Sequence, residues 1–323
     1  MPDITPPATP PLISADTLAA LLQSPSPAAD VLVLDCRFSL ADPSAGEAAY
    51  AAGHIPGAAY AHLDHQLSSP RVSVAGGHAR PGAFEGGRHP LPSPEAFQAT
   101  LRAWGVSPHT HVVAYDDAGG MFAARAWWLL RWAGHERVQV LDGGWPAWRA
   151  IDGAVSQEPA ARQASAIEIH GSPGQVVGTD EVLRHAWLQS PEAAARTGLH
   201  TAAEVAEPTP GDVVLIDARA PDRFRGENET IDPVGGHIPG AVNRFFQLNL
   251  GADGRFKPAA QLREEFEALL AGQPAAHVVH QCGSGVTACH NLLAMEQAGL
   301  PGSRLYAASW SAWVADPARP VER

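Results

Sequence analysis

Cys282 stands where a short apolar run, Val278-Val279-His280-Gln281, gives way to Gly283-Ser284-Gly285-Val286-Thr287 and then to a helix-like segment, Ala288 to Gln297. The glycines permit a tight curl with inward backbone N–H groups. The start of a helix adds the positive end of its dipole. Both favour a thiolate, the nucleophilic form of cysteine. The chemistry this predicts is covalent: an anionic sulfur that attacks a substrate and then carries a group.

The elements that must hold this loop are written twice. Val33-Leu34-Asp35-Cys36-Arg37 returns as Leu215-Ile216-Asp217-Ala218-Arg219. Gly53-His54-Ile55-Pro56-Gly57-Ala58 returns as Gly236-His237-Ile238-Pro239-Gly240-Ala241, and Trp145-Pro146-Ala147-Trp148 as Trp310-Ser311-Ala312-Trp313. So long a period means two homologous domains, not a solenoid. Strands are expected at Val31–Leu34, Val112–Tyr115 and Val138–Leu141, with counterparts at Val213–Ile216, Val278–Gln281 and Arg304–Tyr306. Helices are expected at Leu12–Gln23, Pro94–Trp104, Ala123–Ala133, Thr179–Leu188 and Leu262–Leu270. Apolar strands alternating with helices imply two α/β domains, each a parallel sheet with helices on both faces. Ligands of such sheets bind outside the carboxyl ends of the strands, where Cys282 lies. Gly153 to Val176 reads as the connection, giving domains over 12–155 and 176–323.

The chain has 323 residues, a hydrophobic fraction of 45% and a net charge of −12. That charge disfavours nucleic acid or an anionic membrane as the main partner, though a local basic pocket can still take a small anion. No apolar run approaches the length of a membrane span, and the proline-rich start lacks the pattern of a signal peptide. Three cysteines make no disulfide framework, so a reducing cytoplasm is expected. Cys36, Cys282 and Cys289 lack paired zinc-ligand spacing, there is no nucleotide-binding glycine motif, and no cofactor is expected.

Together these motifs resemble the tandem rhodanese-type sulfurtransferases, over roughly Leu12 to Pro320. The resemblance implies that only the C-terminal half is active. Asp116, the counterpart of Cys282, cannot hold a persulfide, so the N-terminal half is silent and shapes the cleft. The loop CGSGVTAC looks like that of the 3-mercaptopyruvate sulfurtransferases. Thiosulfate-preferring members resemble Cys-Arg-Lys-Gly-Val-Thr, with cations where this chain has a neutral loop and the Ser284 hydroxyl.

The implied mechanism has Cys282 attack the sulfur of 3-mercaptopyruvate, pyruvate leave as its enolate, and an acceptor remove the outer sulfur of the Cys282 persulfide. That acceptor is cyanide or a thiol, such as thioredoxin or a low-molecular-weight thiol. The backbone of Gly283, Gly285, Val286, Thr287 and Ala288 would cradle the persulfide. Ser284, His89 and Asp64 match the family's proton relay, although Val74 to Gly87 reads as an insertion between Asp64 and His89. Arg223 matches the first substrate arginine. Asp232 stands where the second is usual, so either Arg225 substitutes or the pocket takes a different acid. Thiosulfate as donor is the alternative.

Other residues have simpler readings. His54 and His237 occur in the turns of both halves, and so do the pairs Asp35/Arg37 and Asp217/Arg219. Duplication in a silent half argues for structure. Cys36 and Cys289 are expected to pack, Ser284 could instead cap a helix, and the tryptophans at 127, 128, 132, 145, 148, 310 and 313 are expected in core or interdomain packing. A rhodanese-like phosphatase would need arginine at position 288, which is alanine. A non-catalytic scaffold would have no use for Cys282 in an intact glycine loop.

Overall fold

A computed structural model describes residues 9–24, 30–70, 86–189 and 213–323. The first sheet has β1 (Leu12–Ile13), β2 (Val31–Asp35), β3 (Ala59–Tyr60), β4 (His111–Tyr115) and β5 (Val138–Leu141), in the order β1-β5-β4-β2-β3. The second has β6 (Val214–Asp217), β7 (Val242–Asn243), β8 (Val278–Gln281) and β9 (Arg304–Leu305), in the order β7-β6-β8-β9. Every strand pair in both sheets is parallel, as the alternating pattern requires. Among the described residues no helix is long and apolar enough to cross a membrane.

Side-chain alternation along each strand feeds two faces. On β2, Leu32 and Leu34 join one apolar cluster with Phe97, Leu101 and Trp128, while Val33 joins another with Leu18 and Trp148. In the second sheet Leu215 and Val279 pack with Val182, Trp310 and Trp313. The first cluster continues across the molecule. The helix Ala123–Trp132 and the helix following Cys282 (Ala288–Gln297) are buried nearly all round and contribute to one core. The N-terminal half therefore forms a wall of the C-terminal half.

Two helix starts change, and the other expected elements keep their bounds to within a residue. The first helix covers Ala15–Gln23, not Leu12–Gln23, because Ser14 caps it through the Thr17 N–H and Leu12 and Ile13 pair with Val140 and Leu141. The Leu262–Leu270 helix begins at Ala259, directly after Pro258. Most of the insertion read at Val74 to Gly87 lies outside the described residues. The connection is tied down. Arg162 bonds Asp30 and Val31, Ile167 O accepts from Arg102, and Val177 N–H donates to Leu305 O in the second sheet.

The duplicated motifs form one device, built twice. Arg37 grips Asp35, donates to Gly53 O at 2.7 Å and stacks on Trp145. Arg219 does the same with Asp217, Gly236 O (2.7 Å) and Trp310. His54 and His237 stack on Tyr50 and Phe224 and pair their backbones with Ser156 and Glu322. Three consecutive motifs are thus fastened together in each half, which is a structural task.

Two buried imidazoles give a pH dependence. His290 faces Gly119 O at 3.0 Å and stacks on Phe256, and burial pushes it down to about 4. Burial pushes His280 down to about 3. Unfolded, both would bind a proton below about pH 6.5. Their contribution is therefore full above pH 6.5 and is lost as pH falls through 6.5 toward 4, by about 1.4 kcal/mol per pH unit for each ring. Urea midpoints across this range should fall, and His290→Gln should flatten the decline. A midpoint indifferent to pH from 6.5 to 4.5 would contradict the assignment.

Candidate active site

Strand β8 ends at Gln281, and Cys282, 2% exposed, opens the loop. Its Sγ accepts the Gly285 N–H at 3.1 Å. Gly285 has φ +79, and a Cβ there would collide with the Ala307 carbonyl, so the curl requires glycine. Ser309 fixes the loop from below. Its hydroxyl accepts the Cys282 N–H at 3.1 Å and donates to Tyr306 O, and it holds a left-handed backbone with φ +54. Trp310 and Ser311 N–H groups bind the carbonyls of Cys282 and Gly283.

The matching loop of the N-terminal half shows what such a curl accommodates. Asp116 is fully buried, and its carboxylate accepts the N–H groups of Ala118 and Gly120 (2.8 Å each), Phe122 (2.8 Å) and Ala123 (2.9 Å). Burial pushes its carboxyl up while these four donors pull it down. At an offset of 166 (282 − 116), the equivalent positions are 284, 286, 288 and 289. The loop architecture is thus an acceptor cradle, and the N-terminal half fills its copy with its own carboxyl group.

Ser284 does not cap the helix. Its Oγ lies 2.7 Å from Nδ1 of His89, whose Nε2 lies 3.3 Å from Asp64 Oδ1. Despite the insertion, Asp64 and His89 of the first half meet Ser284 of the second beside the Cys282 thiol. With His89 Nδ1 accepting from Ser284 and Nε2–H facing Asp64, the three can pass a proton. His89 is positioned by Arg125, a fully buried guanidinium on the helix Ala123–Trp132. Arg125 donates to His89 O (3.2 Å), Leu67 O (3.3 Å) and Gly285 O (3.1 Å), joining the relay to the sulfur loop.

The cleft over Cys282 has a volume of about 210 Å³, and Arg88, His89, Arg223, Ile231 and Phe245 are among its lining residues. Val286 and Thr287 line it too, while Ala288 begins the buried helix below. Arg223 reaches the cleft but is paired, at 2.8 Å to Glu229 and 3.2 Å to Asp232. Arg225 is not at the site: its side chain is 52% exposed and pairs with Glu227 at 2.7 Å. It caps the C-terminus of the short helix Pro221–Phe224 and does not line the cleft, so it does not stand as a second substrate arginine. Arg88 instead faces the loop and pairs with Asp232.

Arg88, Arg125 and Ser309 escaped sequence reasoning. Signals existed for two of them: Arg88 adjoins His89, and Ser309 replaces the left-handed Gly144 of the other half, which also has φ +53. Cys289 is buried, and burial foremost pushes its thiol up to about 12, consistent with packing alone.

The rhodanese-like domain family matches residues 14–151 and again 201–316. A Pseudomonas aeruginosa protein named a probable 3-mercaptopyruvate sulfurtransferase is 46% identical over 312 residues, 96% of this chain and 97% of its own. A Mycobacterium tuberculosis protein whose name, given provisionally, is thiosulfate sulfurtransferase SseB is 38% identical, covering 97% of this chain and 96% of its own. The crystal structure of SseA from Escherichia coli, described as a 3-mercaptopyruvate sulfotransferase, aligns with a TM-score of 0.68 at 28% identity. It covers 94% of this chain and all of that one. With two family matches on two parallel sheets and near full-length agreement with these relatives, the chain belongs to the rhodanese-like family as a two-domain sulfurtransferase.

Proposed function

We propose that the chain transfers a sulfane sulfur from 3-mercaptopyruvate to a thiol or to cyanide through a persulfide on Cys282. The observation that carries this reading is the 2.7 Å contact of Ser284 with His89, backed by Asp64. In the first half-reaction the Cys282 thiolate attacks the donor sulfur. An S–S bond forms, the C–S bond breaks, and its electron pair leaves on carbon as the enolate of pyruvate. The proton given up by the donor S–H passes through Ser284 and His89 to that carbon. In the second half-reaction an acceptor thiolate or cyanide takes the outer sulfur and frees the Cys282 thiolate.

Thiosulfate would release sulfite, already a stable anion that needs no proton on carbon. A hydroxyl–imidazole–carboxylate series beside the thiol therefore favours the keto acid. Thiosulfate remains a second reading because two guanidinium groups, from Arg88 and Arg223, approach Gly283. The domains are taken as 12–155, silent, and 176–323, catalytic, with Asp116 supporting that division. Three free, buried cysteines accord with a reducing cytoplasm.

Steady-state sulfur transfer to cyanide from each donor tests the reading. Ser284→Ala and His89→Gln should lower kcat with mercaptopyruvate by about 10²- to 10⁴-fold, the usual worth of a proton donor, and change thiosulfate turnover by less than about three-fold. Unchanged mercaptopyruvate turnover in both variants would refute the relay.

A further inference from the structure

The sequence offers a neutral loop at Gly283-Ser284-Gly285, yet the folded chain brings two cations against it. A Cβ on Gly283 would lie 2.8 Å from Nη2 of Arg88 and 3.7 Å from both terminal nitrogens of Arg223. The two arginines come from different halves. Arg223 is on the short helix after β6, whereas Arg88 belongs to the silent half and is fixed by its own N–H to Ser311 Oγ at 3.1 Å. Between them stands Asp232, with Oδ1 on Arg88 and Oδ2 on Arg223 at 3.2 Å. Its side chain is 4% exposed, against 18% and 19% for Arg88 and Arg223. Asp232 thus braces the guanidinium groups from behind while Glu229 takes Nε and Nη2 of Arg223, so that Nη2 of Arg88 and Nη1 of Arg223 face Gly283 outside these pairs.

We propose that Arg88 and Arg223 together form the donor-carboxylate site, one guanidinium from each half, and that Asp232 restricts this site to singly charged 2-oxo acids. Nη2 of Arg88 and Nη1 of Arg223, one terminal nitrogen from each half, suit the two oxygens of one carboxylate, and the carbon skeleton would then extend over Gly283 toward Cys282. Charge sets the selectivity. Two guanidinium groups are balanced by Asp232 and by Glu229, which grips Arg223. From behind the guanidinium groups Asp232 weakens the positive field at the cleft, and a dianion loses twice the attraction that a monoanion loses. Removing the Asp232 charge leaves the site net positive and suited to thiosulfate.

This inference rests on the proposed use of a keto-acid donor, so its test has a part that does not depend on turnover. Pyruvate binding to the Cys282→Ser protein, measured by calorimetry, reads the carboxylate site directly. Arg88→Met should weaken it by about 10-fold or more, the scale of a lost charge-assisted hydrogen bond, and Arg88→Lys should recover part of it. In the active protein, Arg88→Met should raise KM for mercaptopyruvate by a similar factor while kcat changes by less than about three-fold. Asp232→Asn should raise kcat/KM for thiosulfate relative to mercaptopyruvate by about 10-fold. Pyruvate affinity within two-fold of the parent in a folded Arg88→Met protein, as judged by its melting curve, would overturn the site. An unchanged donor ratio in Asp232→Asn would overturn the selectivity. Should the parent fail to use mercaptopyruvate yet bind pyruvate through Arg88, the keto-acid reading falls and the carboxylate site stands.

Discussion

Replacing Cys282 with serine is expected to abolish sulfur transfer from mercaptopyruvate and thiosulfate alike, leaving no turnover above the uncatalysed rate. A serine hydroxyl is isosteric but is not ionised near neutral pH, and it cannot form the S–S bond on which both half-reactions depend. The loop should survive the change, because the Gly285 N–H can donate to a hydroxyl as it does to the sulfur and the bonds from Ser309, Trp310 and Ser311 to the loop backbone are untouched. Loss of activity can therefore be separated from misfolding. The same variant settles the intermediate. Incubated with excess donor and weighed intact, the parent protein should gain about 32 Da on the peptide bearing Cys282 and the variant should gain none. Residual turnover in Cys282→Ser, or an added sulfur on Cys36 or Cys289 instead, would remove the thiol from its assigned role. The latter two are poor candidates on physical grounds. Burial pushes the Cys36 thiol well above its ordinary value, and that of Cys289 to about 12.

Arg125→Met should produce the largest combined loss of stability and activity. Arg125 is wholly buried and, among the described residues, has no carboxylate partner; three backbone carbonyls hold it. Burial disfavours its charge and lowers its affinity for the proton, and the sulfurs of Cys289 and Cys282 are the groups whose field opposes this. An anion on Cys282 thus has a cation waiting inside the protein. Methionine fills much of the volume but strands the carbonyls of Leu67, His89 and Gly285, at about 1–3 kcal/mol for each acceptor that water cannot reach. Urea denaturation should register a total loss of about 3–5 kcal/mol. In the protein that remains folded, kcat should fall by about 10²-fold or more, since His89 and the sulfur loop lose their common anchor. Arg125→Lys tests geometry against charge: it keeps the charge, cannot serve three carbonyls as a fork, and should recover less than half of the stability. A Met variant as stable and active as the parent would show that the anchor is dispensable.

Much of this protein was legible in the chain because the information was local and written twice. The parallel sheets followed from β-branched runs alternating with helical periods, and the Asp-x-Arg, Gly-His-Ile-Pro and tryptophan motifs announced two copies of one domain. Comparing the copies also separated structure from chemistry, since His54 and His237 recur in both halves while Cys282 does not. The Cys282 loop could be read directly, because a glycine curl between a strand and a helix dictates where its amides point. What the sequence could not decide were relations between the halves. Asp64 and His89 meet Ser284 across the packing of the helix Ala123–Trp132 against the helix after Cys282, and Arg125 becomes an anchor in that packing. Position along the chain suggested Arg225 as the second cation, but side-chain direction turned it to solvent and folding delivered Arg88 from 135 residues upstream of Arg223 (223 − 88). A motif fixes backbone curvature over a few residues. The charge that faces a cleft is set by every element lining it, and only the tertiary structure brings those elements together.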